Sequence, residues 1–436
     1  ENSDVKAEEI LIKTEGNPKA HAITSGLSVS LGIGAAVGAS LSSVSGTMGV
    51  SSYIGDSSII KTTILTVSAD GKGDLLAESE ASSAGVIAGA GCDSKTLSDS
   101  NILAGIGSNT KIEVSSLIMQ SVHNIDIDST ADSSSIGLGT GNGAVVSNTV
   151  TGGAIVDIGT NTEIQALDAI SIDAVNKLSK KKFANGQNLN SGSAGLFSVS
   201  VLESKTNIGT EENPFAAEVN IGQGSTLTVE GTYESPGVLE IETFAKVDAV
   251  DNVKIEGVSG FGVSKGVSEI LSYTSAQVNI DGAGLENKMG DLFLTARHDA
   301  EISPNVNMFS ASALSGFIGA EATGLLDADN EINIKEANLR AKTINLFTGK
   351  NSNAEVNLLD GYVTTQTTSV SALPNVVAPD PDLTINENNF INISGNSKVQ
   401  AMEDINLTAR EGLGGDKRGK TAGMMLSISL VPYGTS

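Results

Sequence analysis

The chain has 436 residues, with 51 Asp plus Glu against 26 Lys plus Arg and a net charge of −25. That balance excludes a nucleic-acid binder, which needs a basic face, and favours a self-repelling acidic surface. Aromatics are 3% of the chain and Trp is absent, whereas Gly numbers 49, which argues against a compact core of large rings and for stacked layers burying Ile, Val, Leu and Ala.

The chain starts at Glu1 with no initiator Met and no signal peptide, as a mature or excised segment does. Ile10-Leu11-Ile12 reads as a first strand. Residues 24 to 55 carry no charge. Leu27, Val29, Leu31 and Ile33 alternate there with Ser28, Ser30, Gly32 and Gly34, so the stretch reads as strand with one apolar face and not as a membrane helix. Next come SSYIG, ending at Gly55, and LAGIG, ending at Gly107. The single cysteine between them, Cys92, excludes an internal disulfide framework and reads as a bystander.

The stretch TGGAIVDIGTNTEIQALDAISIDA, residues 151 to 174, shows the pattern in full. Ala154, Val156 and Ile158, then Ile164 and Ala166, then Ile170, Ile172 and Ala174 all sit at even positions. They predict three short strands sharing a buried face, with turns at Gly159, Thr160, Asn161 and at Leu167, Asp168, Ala169. The pattern recurs. Its marker isoleucines are Ile54, Ile106, Ile158, Ile221, Ile280, Ile334 and Ile393, spaced 52, 52, 63, 59, 54 and 59 residues apart. Second strands follow at Ile112, Ile164, Leu227, Leu339 and Val399. Third strands follow at Leu65, Ile125, Ile170, Leu239, Leu292, Ile344 and Ile405. Segments 177 to 192, 208 to 216 and 372 to 386 read as surface loops or insertions.

Many alternating strands with short Gly, Asn and Asp turns predict an all-β fold: one continuous right-handed parallel β-helix, or β-solenoid. Its units run over 1–55, 56–107, 108–159, 160–222, 223–281, 282–335, 336–394 and an incomplete 395–436. Units of 52 to 63 residues look too long for one coil, so two to three coils per unit are expected. Roughly 20 coils would make a rod on the order of 100 Å long. A string of β-sandwiches is the alternative, but it needs proline-marked linkers, and three of the eight prolines cluster at Pro374, Pro379 and Pro381. No capping sequence is evident at either end, so the solenoid is expected to continue, at least C-terminally.

The recurring strand into Ile-Gly, then Ile-x-Ala, then Ile-x-Ile-x-Ala resembles the repeat regions of very large secreted bacterial proteins. These are the filamentous-haemagglutinin-like adhesins and the leukotoxin-type exoproteins. TGGAIVDIGTNTEIQALDAISIDA and GMMLSISL carry the likeness best, and it covers nearly the whole chain. The resemblance implies export through an outer-membrane secretion partner, a secreted or cell-surface location, and attachment to host-cell surfaces or extracellular glycans and proteins. A cytotoxin region engaging host cells, or a β-helix polysaccharide-active enzyme, are the alternatives. The Asn-Pro motif of the family's secretion domain is not found; Asn213-Pro214 lies in mid-chain.

Candidate chemistry is sparse, and a non-enzymatic chain with no cofactor is expected. His21, His123 and His298 lack metal-ligand spacing and read as ordinary surface or turn residues. Asp126 and Asp128 are expected outward on one strand. Asp380-Pro381-Asp382 reads as a stiff exposed loop, the only place offered for Ca2+. Gly414-Gly415-Asp416 is a lone fragment of a calcium-repeat motif. Two basic clusters stand out, Lys177 with Lys180, Lys181 and Lys182, and Lys417 with Arg418 and Lys420. Each is expected in a loop after a third strand, as a contact for anionic glycans or lipid headgroups, or as a charged guard on a sheet edge.

Overall fold

A computed structural model describes residues 3–31, 34–181, 188–353, 355–409 and 417–429. Lys182 and Gly414-Gly415-Asp416 lie outside them. Among the described residues every regular element is a strand, and the named strands join in one parallel sheet. The marker isoleucines stack in register: Ile54 on Ile106, Ile106 on Ile158, Ile158 on Ile221, then Ile280, Ile334 and Ile393. The eight even-position apolar residues named in the 151–174 stretch are all buried.

The paired residues lie one full repeat apart, so one unit makes one circuit. The expectation of two to three coils per unit is wrong, and the reason lies in the Ser-, Gly- and Ala-rich remainder of each unit. That remainder also forms strand. A circuit begins with a short strand, such as Ile59–Lys61 or Thr226–Val229. It continues along an outgoing arm, such as Ile64–Ala84, and returns along a second arm, such as Ile87–Ile106. The short strands stack from Asp4–Lys6 through to Lys398–Ala401. Seven steps of about 4.8 Å make the stack about 35 Å tall, while arms of some 20 residues run about 65 Å. The protein is therefore a slab wider than it is tall, not the rod of the earlier expectation.

Ile125 does not belong to the third-strand column. Leu117 stacks on Leu65 and Ile170, while Ile125 stacks on Leu178 farther along the arm. The third repeat has a second isoleucine pair, Ile125 and Ile127, that imitates the motif. The segment expected as a loop over 372 to 386 is mostly strand, Val376–Ser394, and Asp380-Pro381-Asp382 lies within it. The charge-free region is likewise strand, Lys19–Val29 and Ala35–Ile54. No helix among the described residues is long and apolar enough to cross a membrane.

The two arms face each other and bury alternate residues between them. The interior falls into three apolar bands, around Ile158 and Leu292, around Ile125 and Ile302, and around Leu202 and Met308. Polar residues separate the bands, and some are tied across the interior by hydrogen bonds, as Ser129 is to Asn148 at 2.8 Å and Asn188 to Asp128 at 2.8 Å. The turns after the marker isoleucines need left-handed backbone. Ser57, Asn109 and Asn161 supply it at φ 57°, 56° and 54°, and Gly224 does so at 76°. Buried hydroxyls brace these turns: Thr162 donates to the Gly107 carbonyl at 2.8 Å and Ser225 to that of Gly159 at 2.6 Å.

Candidate functional site

Of the first basic cluster, Lys180 and Lys181 are held by acids of the same molecule. Lys177 and Lys180 lie in the strand Glu163–Lys180 and Lys181 just past its end, while Lys417, Arg418 and Lys420 lie in the strand Lys417–Ser429 and not in the loop that was expected. Lys180 is fully buried. Its Nζ meets Asp251 Oδ1 directly, lies 3.5 Å from Asp128 Oδ1 and donates to the Val250 carbonyl at 3.0 Å. Burial pushes this ammonium down, but Asp251 and Asp128 together outweigh it and leave it raised. Lys181 pairs with Asp248 and, at 3.8 Å, with Glu301. Lys177 sits 5.9 Å from the ring of Phe244, on which Arg297 also stacks at 4.1 Å. Lys180 and Lys181 are thus neutralised by acids of the same molecule.

The acid pair fails for a related reason. Asp128 is fully buried while Asp126 faces out, because Asp128 turns into the band that holds Lys180. His123 and His298 are also buried, against the expectation of surface or turn positions. Each Nδ1 bonds a side-chain carbonyl, Asn176 Oδ1 at 2.8 Å and Asn330 Oδ1 at 2.6 Å, which places the imidazole proton on Nδ1. Burial pushes both imidazoles down to about 4. Cys92 is buried, with its thiol pushed up to about 11 by burial, so it is held as the poorly nucleophilic thiol. Among the described residues no group of three or more His, Cys, Asp or Glu could hold a metal ion.

A different feature emerges on the outer face of the returning arms. Gly89 and Gly91 of one layer sit against Gly141 and Gly143 of the next, with Gly139 beside them. Val37 and Ala39 flank this floor in the layer before, and Phe197, Val199 and Val201 in the layer after. Val37 is 74% exposed, Phe197 60% and Val199 50%. The result is a trough with a backbone floor and apolar walls. At one end, around Leu41, Gly91 and Val201, it continues as a shallow, open depression.

The glycines are not there for the fold. None of the five has a positive φ. A Cβ on Gly91, Gly139 or Gly141 would meet nothing within 4 Å. Glycine inside a strand costs roughly 0.5–1 kcal/mol against alanine. Where neither conformation nor packing requires it, the remaining use is to let another molecule approach the backbone closely. Four layers by about five residues make a patch of roughly 300 Å², the size at which apolar surface patches are often functional. The signal was present in the sequence as GVIAGAG and GLGTGNG one repeat apart, with glycines at the parity opposite to the buried Ala88, Ala90 and Ala144.

No family model, curated protein or solved structure compared with this chain matches it.

Proposed function

We propose that this chain is a structural and adhesive segment of a secreted or surface-displayed bacterial exoprotein, non-enzymatic, wound right-handed as parallel connections prefer. The resemblance of its repeats supports the class and, with it, export through an outer-membrane partner. The observation that carries the adhesive reading is the glycine-floored trough. Its partner is a host-surface protein offering aliphatic or aromatic side chains, because the walls of the trough, Val37, Phe197 and Val199, are apolar and exposed. A patch this small binds weakly by itself, and adhesion comes from many copies acting together.

The test is binding of the labelled chain to host cells, to immobilised host-surface proteins and to a glycan panel, with and without calcium, beside Gly91→Glu and Gly141→Glu. Both substitutions fill open space, so the melting temperature stays at or above that of the unsubstituted chain. Saturable binding to protein, weakened at least about tenfold in either variant, is expected. Equal binding by the variants, or binding confined to glycans, would refute the trough as the contact.

A further inference from the structure

The band between the second and third apolar regions brings together three charged groups with no access to water. Lys180, Asp251 and Asp128 come from three successive layers and all three are fully buried. Lys180 Nζ touches the Asp251 carboxylate. Its hydrogen bond to the Val250 carbonyl, at 3.0 Å, fixes the amine's direction. Thr206 donates its hydroxyl to Asp251 Oδ2 at 3.3 Å. Asp128 stands 3.5 Å from Nζ, and its Oδ1 is anchored by the Ser129 amide at 2.9 Å and by Asn188 Nδ2 at 2.8 Å. A nucleophile, an electrophilic carboxyl, a second acid and a donor to the carboxyl oxygen therefore share one dry compartment.

We propose that Lys180 and Asp251 join through a side-chain amide, formed without any added enzyme, with Asp128 carrying the protons. The lysine ammonium gives one proton by way of Asp128 to the Asp251 carboxylate. The freed nitrogen lone pair attacks Asp251 Cγ, forming the C–N bond, and the Thr206 hydroxyl steadies the oxygen of the tetrahedral adduct. A second nitrogen proton passes through Asp128 to the departing hydroxyl. The C–O bond breaks and one water leaves. Ammonium and carboxylate become amide and water, the net charge is unchanged, no oxidant or reductant is needed, and Asp128 ends as it began. Two circumstances favour the product. Fixed contact raises the effective concentration of the pair to values of order 10⁵ M or more. Burial also penalises the ion pair, while an amide carries no charge to desolvate.

Intact mass measurement of the full, denatured chain after incubation tests this. The expected mass is lower than that of the sequence by one water. Proteolysis then yields a branched peptide linking the segment of Lys180 to that of Asp251. Asp128→Asn is expected to keep the full mass. A chain at full sequence mass would overturn the proposal. So would a missing water traced to a cyclic imide at some other Asp or Asn with no branched peptide. A branched peptide that persists in Asp128→Asn would overturn the role given to Asp128. The wild-type mass decides even where a variant does not fold.

Discussion

Acid should loosen this fold through two particular histidines. His123 and His298 each spend the imidazole proton on an asparagine carbonyl and leave Nε2 buried without a hydrogen-bond partner among the described residues. Protonating Nε2 would bury a cation, so burial holds both groups at about 4 against an unperturbed 6.5, with Asn176 and Asn330 pulling more weakly the other way. The unfolded chain thus takes up the proton first. Stability falls once pH drops through about 6.5 and keeps falling until about 4. At about pH 5 the linkage costs about 2 kcal/mol for each histidine, about 4 in all. Asp173 opposes this: burial raises its carboxyl to about 6, so the folded chain gains a proton there first and recovers about 1 kcal/mol over the same span. Burial also raises the carboxyls of Asp132, Asp157, Glu242, Asp299 and Asp327, which oppose the histidines in the same direction. The readout is therefore a difference: from about pH 7.5 to about pH 5, urea unfolding should cost the wild type about 4 kcal/mol more than a variant without the two histidines. His123→Asn with His298→Asn removes the histidine part, and asparagine fits because Asn176 already occupies the same column as His123. The double variant should therefore be no less stable at about pH 5 than at about pH 7.5. A double variant with the wild-type pH dependence would refute the argument.

Three further outcomes follow from packing and backbone. Ile158→Ala empties a fully buried position in the marker column and should lower the unfolding free energy by about 3 kcal/mol, read from the urea midpoint. Glu336→Gly relieves a left-handed residue at φ 52° and should raise stability by about 1 kcal/mol, seen as a higher melting temperature. Gly152→Ala should do the opposite and severely. Its φ is +111° and a Cβ there would lie 1.8 Å from the Ser100 carbonyl oxygen, so loss of soluble expression or of the cooperative melt is the expected readout.

Much of the architecture could be read from alternation, because inward positions in a strand have period two and the marker isoleucines carried that parity from layer to layer. Ile54 through Ile393 are one column for this reason. The circuit length was hidden because Ser, Gly and Ala alternate too weakly to announce the long arms, which led to coils being multiplied. Lys180 was misread because a lysine run looks solvated. Only the pairing of three layers shows that its parity points inward, toward Asp251 and Asp128. The trough glycines were visible as letters but not as a surface. Whether a glycine is required by backbone, by packing or by neither depends on what a side chain would touch.

One repeat per layer also sets how the protein would answer to force. A pull on the two ends of the chain meets a stack in which each layer is held to the next by a full circuit of backbone ladders. When an outer layer yields, it releases its whole circuit at once, and 52 residues pay out to about 180 Å of slack. Extension would come in long, even strides, each dissipating work and leaving the remaining stack intact. Such a chain stretches as a shock absorber does, and a covalent bond across two layers would shorten the strides at that point.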